Sequence, residues 1–285
     1  MRRSIFAAAV GVVLSGGLAA CGSSSTSSTV AATNCSKAGI QHLLYHKGVL
    51  TVATDNPVFT PWFVNNTPSN GKGYESAVAY ALAAKLGFSH SQVVWVKEPF
   101  NSTYAPGPKA FDFDINEVSY TTARAQAVTF SNSYYPVQQA IVSIKGDPIV
   151  TKHSPAQLRT YQYGDQIGTT GLTYINSMIM PTKQPLVFGS LNDARSALQV
   201  HHVDAVITDT PTAQYMAVYQ VPHHMGRLVA QFPSTGEHYG LVFHKGNSLV
   251  TCVNRAIAAL SADGTLTALQ HKYLGIYLSV PTIKP

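Results

Sequence analysis

Short apolar runs alternate along the chain with apolar residues at helical spacing. Residues 49–54 form a compact apolar run that ends in a polar loop, the pattern of a buried strand. Residues 75–86 carry Ala77, Val78, Ala81, Leu82 and Leu86 at helical spacing and stop at Gly87, which predicts a helix with a glycine C-cap. Residues 93–96 predict the next strand, 111–118 alternate like another, and 137–144 form a longer one closed by Gly146-Asp147-Pro148. Ser154-Pro155 opens a short helix, with serine as N-cap and proline in the first turn. Residues 171–180, 191–200 and 211–219 read as helices, 203–208 and 239–243 as buried strands, and 249–260 as a late amphipathic helix. Alternation of this kind predicts α/β lobes with mostly parallel sheets. Residues 135–139 and 232–239 read as two crossings between lobes.

The N-terminus changes the picture from a plain α/β protein to an exported one. Arg2 and Arg3 precede an apolar run over residues 5–14, too short to span a bilayer, and then small residues. Residues 1–20 therefore read as a signal peptide. Leu18-Ala19-Ala20-Cys21 resembles a bacterial lipobox, in which Cys21 is lipidated and becomes the first mature residue. Residues 21–34 then form a tether, rich in Ser and Thr, with almost nothing to bury. The expected location is the extracytoplasmic face of the cell membrane, through the lipid anchor. Cys35 and Cys252 remain, as one pair in an oxidising compartment or as two free thiols.

Composition removes several function classes. The formal charge of +6 falls to about +4 once Arg2 and Arg3 leave with the signal, since residues 1–20 contain no acid. Lys and Arg are scattered, with no basic cluster, so no nucleic-acid partner is expected. The eleven His include the adjacent pairs His201-His202 and His223-His224 but no spaced metal-ligand motif, and Gly71-x-Gly73 lacks a third glycine. No nucleophile-elbow signature is present. Neither a metal nor a cofactor is expected.

A set of ordered motifs carries a family resemblance. Thr121-Thr122-Ala123-Arg124 is followed by Phe130-Ser131-Asn132-Ser133-Tyr134-Tyr135. Gly73-Tyr74-Glu75 leads the first helix, Gly168-Thr169-Thr170 opens another, and Val203-Asp204-Ala205-Val206-Ile207-Thr208-Asp209 precedes a third. Tyr239-Gly240-Leu241-Val242, Lys245-Gly246 and Asp263-Gly264-Thr265 follow near the end. Each piece is weak alone; their order and spacing over residues 48–275 resemble the family 3 extracellular solute-binding proteins, the polar amino-acid receptors of ABC importers.

The resemblance implies a two-lobed, type II periplasmic-binding-protein fold of the α/β class, with the ligand cleft between lobes. Lobe 1 would hold residues 35–137 and 235–285, and lobe 2 residues 138–234. It implies a monomer that hands a small amino acid to importer membrane subunits and catalyses nothing. The family packs the late helix on the first lobe, which implies a Cys35–Cys252 disulfide.

The same resemblance assigns a pocket, and the chemistry is consistent with it. A receptor for a free amino acid must replace the water around a carboxylate and an ammonium, because burying either alone costs several kcal/mol. Arg124, with Ser119 five residues before it, suits the carboxylate through its planar fork. Thr169 and Thr170 place a helix start beside the same anion. Asp209 would take the ammonium, and it also suits the N-cap of the helix that follows. Asp55 and Phe59 look like a rim acid and a stacking aromatic, Phe100 like a second wall, and Trp62 suits either wall or core.

Two positions depart from the family pattern. Glu117 stands where many relatives have a small residue, and Gln166 where some have Lys. Strand alternation puts Glu117 on the same face as Ser119, which predicts a polar or cationic ligand. Two other functions keep the fold: an enzyme like the cyclohexadienyl dehydratases, with Glu117 as proton donor, or a ligand-sensing ectodomain.

Overall fold

The structure, a computed structural model, describes residues 34–275 and 280–284; the expected signal peptide and Cys21 anchor fall outside the described residues. The chain runs β1 (Leu50–Thr54), α1 (Tyr74–Lys85), β2 (Val93–Lys97), α2 (Phe100–Thr103), β3 (Phe113–Asp114), α3 (Thr122–Ala127), β4 (Thr129–Pro136) and β5 (Gln139–Ile144). It continues through α4 (Pro155–Leu158), β6 (Tyr163–Gln166), α5 (Thr170–Tyr174), β7 (Leu186–Phe188), α6 (Leu191–Gln199), β8 (Ala205–Asp209), α7 (Thr210–Tyr215) and β9 (Gly226–Gln231). It ends with β10 (His238–Phe243), α8 (Leu249–Ala262) and α9 (Thr265–Leu274).

Two five-stranded sheets result, ordered β2-β1-β3-β10-β4 and β7-β6-β8-β5-β9, which make two α/β lobes. Both sheets are mixed, which corrects the expectation of mostly parallel pairing. β1 pairs in parallel with β2 and β3, but β10 is antiparallel to both β3 and β4. β6 pairs in parallel with β7 and β8, but β5 is antiparallel to β8 and β9. The crossings are the cause. β4 leads out of the first sheet and β10 returns beside it in the opposite sense, as β5 and β9 do in the second. The crossings also pair with each other: the Val137 N–H donates to the Glu237 carbonyl at 2.9 Å, and the Phe232 N–H to the Gln139 carbonyl at 2.8 Å.

In the second sheet, alternate residues of β5 and β8 enter different cores. Ala140, Val142 and Val206 pack on one face, and Ile141 and Ile207 on the other. A strand buried on both faces reads as a continuous apolar run, which is why both were legible. The first lobe has a large aromatic core in which the Trp62 ring makes edge contacts with Tyr74, Tyr135 and Tyr239 at 5.4–5.8 Å.

Cys35 and Cys252 are disulfide-bonded, tying the start of the body to α8 across 217 residues. The tail departs from its expected lobe. The Gln231 N–H donates to the Pro281 carbonyl and the Ile283 N–H to the Gln231 carbonyl, both at 2.8 Å, and Ile283 is buried in the core of the second sheet. Residues 280–284 thus belong with β9 rather than with lobe 1, because an apolar Ile283 next to an unpaired sheet edge gains both burial and hydrogen bonds there.

The 111–118 strand is also cut short. β3 covers two residues, and Glu117 lies in a bend with φ of 53° rather than in extended backbone.

Candidate functional site

A cavity of about 460 Å³ lies where β1, β6 and β8 end. Asp55 follows β1, Asp165 and Gln166 close β6, and Asp209 closes β8. Ligands of α/β sheets bind in the crevice outside the carboxyl ends of the strands. All nine side chains assigned to ligand binding from the sequence line this one cavity: Asp55, Phe59, Phe100, Glu117, Ser119, Arg124, Thr169, Thr170 and Asp209.

One side is built to take an anion. Thr121 caps α3 by accepting the Arg124 N–H on its hydroxyl at 3.1 Å, so the Thr-x-x-Arg motif starts a helix and aims its arginine in one step. Arg124 is 9% exposed and lies over the rings of Tyr104, 4.2 Å away, and Phe100, 5.6 Å away. It donates to the Ser119 carbonyl at 2.7 Å and to the Gly168 carbonyl at 2.8 Å, and the second bond joins the two lobes. Among the described residues no carboxylate pairs with it. With two bonds to neutral carbonyls and no carboxylate at ion-pair distance among the described residues, this buried guanidinium keeps donors for a ligand anion. Thr169 uses its hydroxyl as the cap of α5, accepting from the Leu172 N–H at 3.1 Å, while the Thr170 hydroxyl accepts from Gln139 at 3.3 Å.

The other side is crowded with acids. Asp209 caps α7 through the Thr212 N–H at 3.0 Å and also faces the cavity, so the cap and the lining role hold together. Glu117 accepts from the Thr212 hydroxyl at 3.1 Å, and that hydroxyl in turn accepts from the Trp62 indole N–H at 2.7 Å. Trp62 is therefore core by its ring and wall by its nitrogen. Burial, then the charges of Asp209 and Glu75, push the Glu117 carboxyl well above the usual carboxylate range. Burial raises Asp209 too, against the donors of Thr212. Glu117 and Asp209 both bond Thr212 and line the cavity together, and burial with the nearby Asp209 charge favours the protonated form of Glu117.

Behind this pair sits Glu75, which is fully buried in α1. Its carboxyl accepts the Tyr134 hydroxyl, and it accepts the Glu117 N–H at 2.7 Å. That second bond pins the left-handed backbone of Glu117, a conformation costing a non-glycine residue about 1–2 kcal/mol. Burial pushes Glu75 up to about 8. The bend, not strand alternation, turns Glu117 toward the cavity; Val118 is buried as expected.

Several contributors have no sequence signal. Asp165 is buried at the end of β6 with Oδ2 unpartnered among the described residues, and burial raises its carboxyl well above the usual range. A Cβ on Gly171 would lie 2.5 Å from that oxygen and from the Ile207 carbonyl, so only glycine lets α5 approach this closely. Tyr104 and Gln139 were also missed, since their roles depend on contacts with Arg124 and Thr170. Asp55 accepts the N–H groups of Asn56 at 2.6 Å and Phe100 at 3.4 Å, and Phe59 stands exposed at the rim with Lys97.

Comparison with known proteins adds an independent observation. Residues 50–276 match the profile of the bacterial extracellular solute-binding proteins, family 3. The histidine-binding periplasmic protein of Salmonella typhimurium is 25% identical over 232 residues, covering 79% of this chain and 86% of that one. Among solved structures, an ancestral arginine-binding protein bound to glutamine aligns with a TM-score of 0.69 and 28% identity, covering 80% of this chain and 99% of its own. An ancestral amino acid-binding protein, described as a precursor of cyclohexadienyl dehydratase, aligns at 0.66 with 25% identity, covering 80% and 95%.

Proposed function

The chain belongs to the bacterial extracellular solute-binding proteins of family 3, and we propose that it captures a cationic amino acid outside the cell membrane and delivers it to an ABC importer. One observation carries the choice of ligand: two buried carboxyls, Glu117 and Asp209, converge on the cavity beside Thr212. A ligand ammonium or guanidinium supplies the missing charge, while its carboxylate meets Arg124 on the opposite side. An aliphatic ligand leaves Glu117 unpaired, and an acidic one is repelled. The relatives named for histidine and arginine support this reading.

A calorimetric panel of arginine, lysine, histidine, glutamine, glutamate and leucine tests it. Arginine, lysine or histidine should bind in the micromolar range or tighter. Preferred binding of leucine or glutamate refutes the cationic ligand.

We assign the anchor to Cys21, so that Cys21→Ser releases the protein from membranes, and we read the protein as a monomer. Glu117, a buried acid held protonated, also suits a proton donor. We favour binding without chemistry because Arg124 and the Glu117–Asp209 pair already match both charged groups of an amino acid. Absence of product from carboxylated ring substrates is the expected outcome.

A further inference from the structure

Glu237 belongs to none of the family motifs. It is the last residue of the return crossing before β10. Its place is set by backbone pairing on both sides: its carbonyl accepts the Val137 N–H at 2.9 Å, the Tyr120 N–H donates to the next carbonyl, that of His238, at 2.9 Å, and Ser119 bridges to Tyr239. These bonds bring the Glu237 side chain against Ser119. Its Oε1 accepts the Ser119 hydroxyl at 2.6 Å and the Gln139 side-chain amide at 3.2 Å. The same amide reaches the Thr170 hydroxyl at 3.3 Å.

Ser119, Gln139 and Thr170 all line the cavity next to Arg124, on the side suited to a ligand carboxylate. Two donors available to such a carboxylate, the Ser119 hydroxyl and the Gln139 amide, are thus already turned toward one belonging to the chain. The negative charge of Glu237 also acts on Arg124. The Tyr174 hydroxyl is near but is hydrogen-bonded to the Thr235 hydroxyl at 2.7 Å.

We propose that Glu237 is an internal competitor for the carboxylate subsite, which a ligand carboxylate must displace from Ser119 to bind. A serine hydroxyl has one proton, so Ser119 can donate to Glu237 or to the ligand but not to both. The two carboxylates would also repel each other in a closed cleft, where juxtaposed like charges are costly. A purely structural hinge acid would have both oxygens satisfied. Here Oε2 is buried without a hydrogen-bond partner among the described residues, as is Oε1 of Gln139. This arrangement is therefore incompletely paired, and it can rearrange when a ligand arrives. Glu237 then sets affinity for the part common to all amino acids, leaving choice of side chain to Glu117 and Asp209. This inference rests on the amino-acid reading of the cavity.

The test compares the mature protein with Glu237→Gln by calorimetry, using arginine and its decarboxylated analogue agmatine. Glutamine keeps the shape and removes the charge. Arginine should bind at least tenfold more tightly to the variant, equivalent to about 1.4 kcal/mol. Agmatine has no carboxylate to compete and should bind no more tightly. Unchanged or weaker arginine binding overturns the proposal, as does an equal tightening of both ligands. If arginine binds neither protein, it is the amino-acid reading that has failed. The competitor is then judged on the ligand-free protein by carbon-13 NMR. The Glu237 carboxyl resonance, identified as the signal missing from Glu237→Gln, should move in Ser119→Ala. A resonance that stays in place removes the contact and the proposal with it.

Discussion

Glu75 offers the sharpest test of the acid cluster. It is fully buried, and burial raises its carboxyl from 4.5 to about 8. The folded state therefore holds a proton that the unfolded chain releases, so the stability linked to this group is complete below pH 4.5 and is lost as pH rises toward 8. A tenfold difference in proton affinity between folded and unfolded chains corresponds to about 1.4 kcal/mol, so the loss amounts to roughly 4 kcal/mol by pH 8. Glu75→Gln imitates the protonated acid. Its amide oxygen can still accept from the Tyr134 hydroxyl and the Glu117 N–H. The variant should match the parent near pH 5 and become progressively more stable than it toward pH 8, by several kcal/mol. Urea unfolding at closely spaced pH values from about 4.5 to 8.5, with extrapolation to water at each, measures the difference. Other buried acids, such as Asp112, cancel in the comparison because both proteins contain them. Parent and variant curves that run parallel across this range would refute the argument, since they would mean that Glu75 titrates alike in the folded and unfolded chains.

Three further outcomes are expected. Arg124→Ala should weaken amino-acid binding by a factor of several hundred or more, because losing one partner of a buried charge pair costs about 3–5 kcal/mol; calorimetry reads the loss and circular dichroism checks that the fold is kept. A cationic ligand favours the ionised form of Glu117, whose carboxyl burial and the Asp209 charge push up, so affinity for arginine or lysine should rise with pH above the ordinary carboxylate range, and that slope should flatten in Glu117→Gln. Replacing both Cys35 and Cys252 by serine opens a loop of 217 residues and should destabilise the protein by about 5 kcal/mol in the chain-entropy description, seen as a lower urea midpoint.

Local patterns sufficed wherever burial or capping is decided by neighbours in sequence. The runs that became β1, β5 and β8 were legible because strands buried on both faces must be apolar throughout. The start of α7 was legible because Asp209 satisfies an N–H group only three residues away. Arg124 and Asp209 belong to ordered motifs, so the charged residues at both ends of the cavity are legible in the sequence. By contrast, β4 read only as a motif, because its Ser131, Asn132 and Ser133 break the apolar run and its pairing with β10 spans a hundred residues. Glu117 was placed on the right side for the wrong reason: a buried Glu75, 42 residues away in sequence, holds it in a left-handed bend. Tyr104 and Glu237 carry no local signature, since each acquires its role from a partner on another element, and Asp165 stands out only through its burial. Most of the elements, and the charged Arg124 and Asp209 that the cavity presents, follow from local sequence. The direction of the sheets, the lobe that holds the tail and the gathering of acids around one cavity arise only when the chain folds. Those outcomes depend on contacts between distant segments, where burial and like charge act together and local periodicity has no bearing.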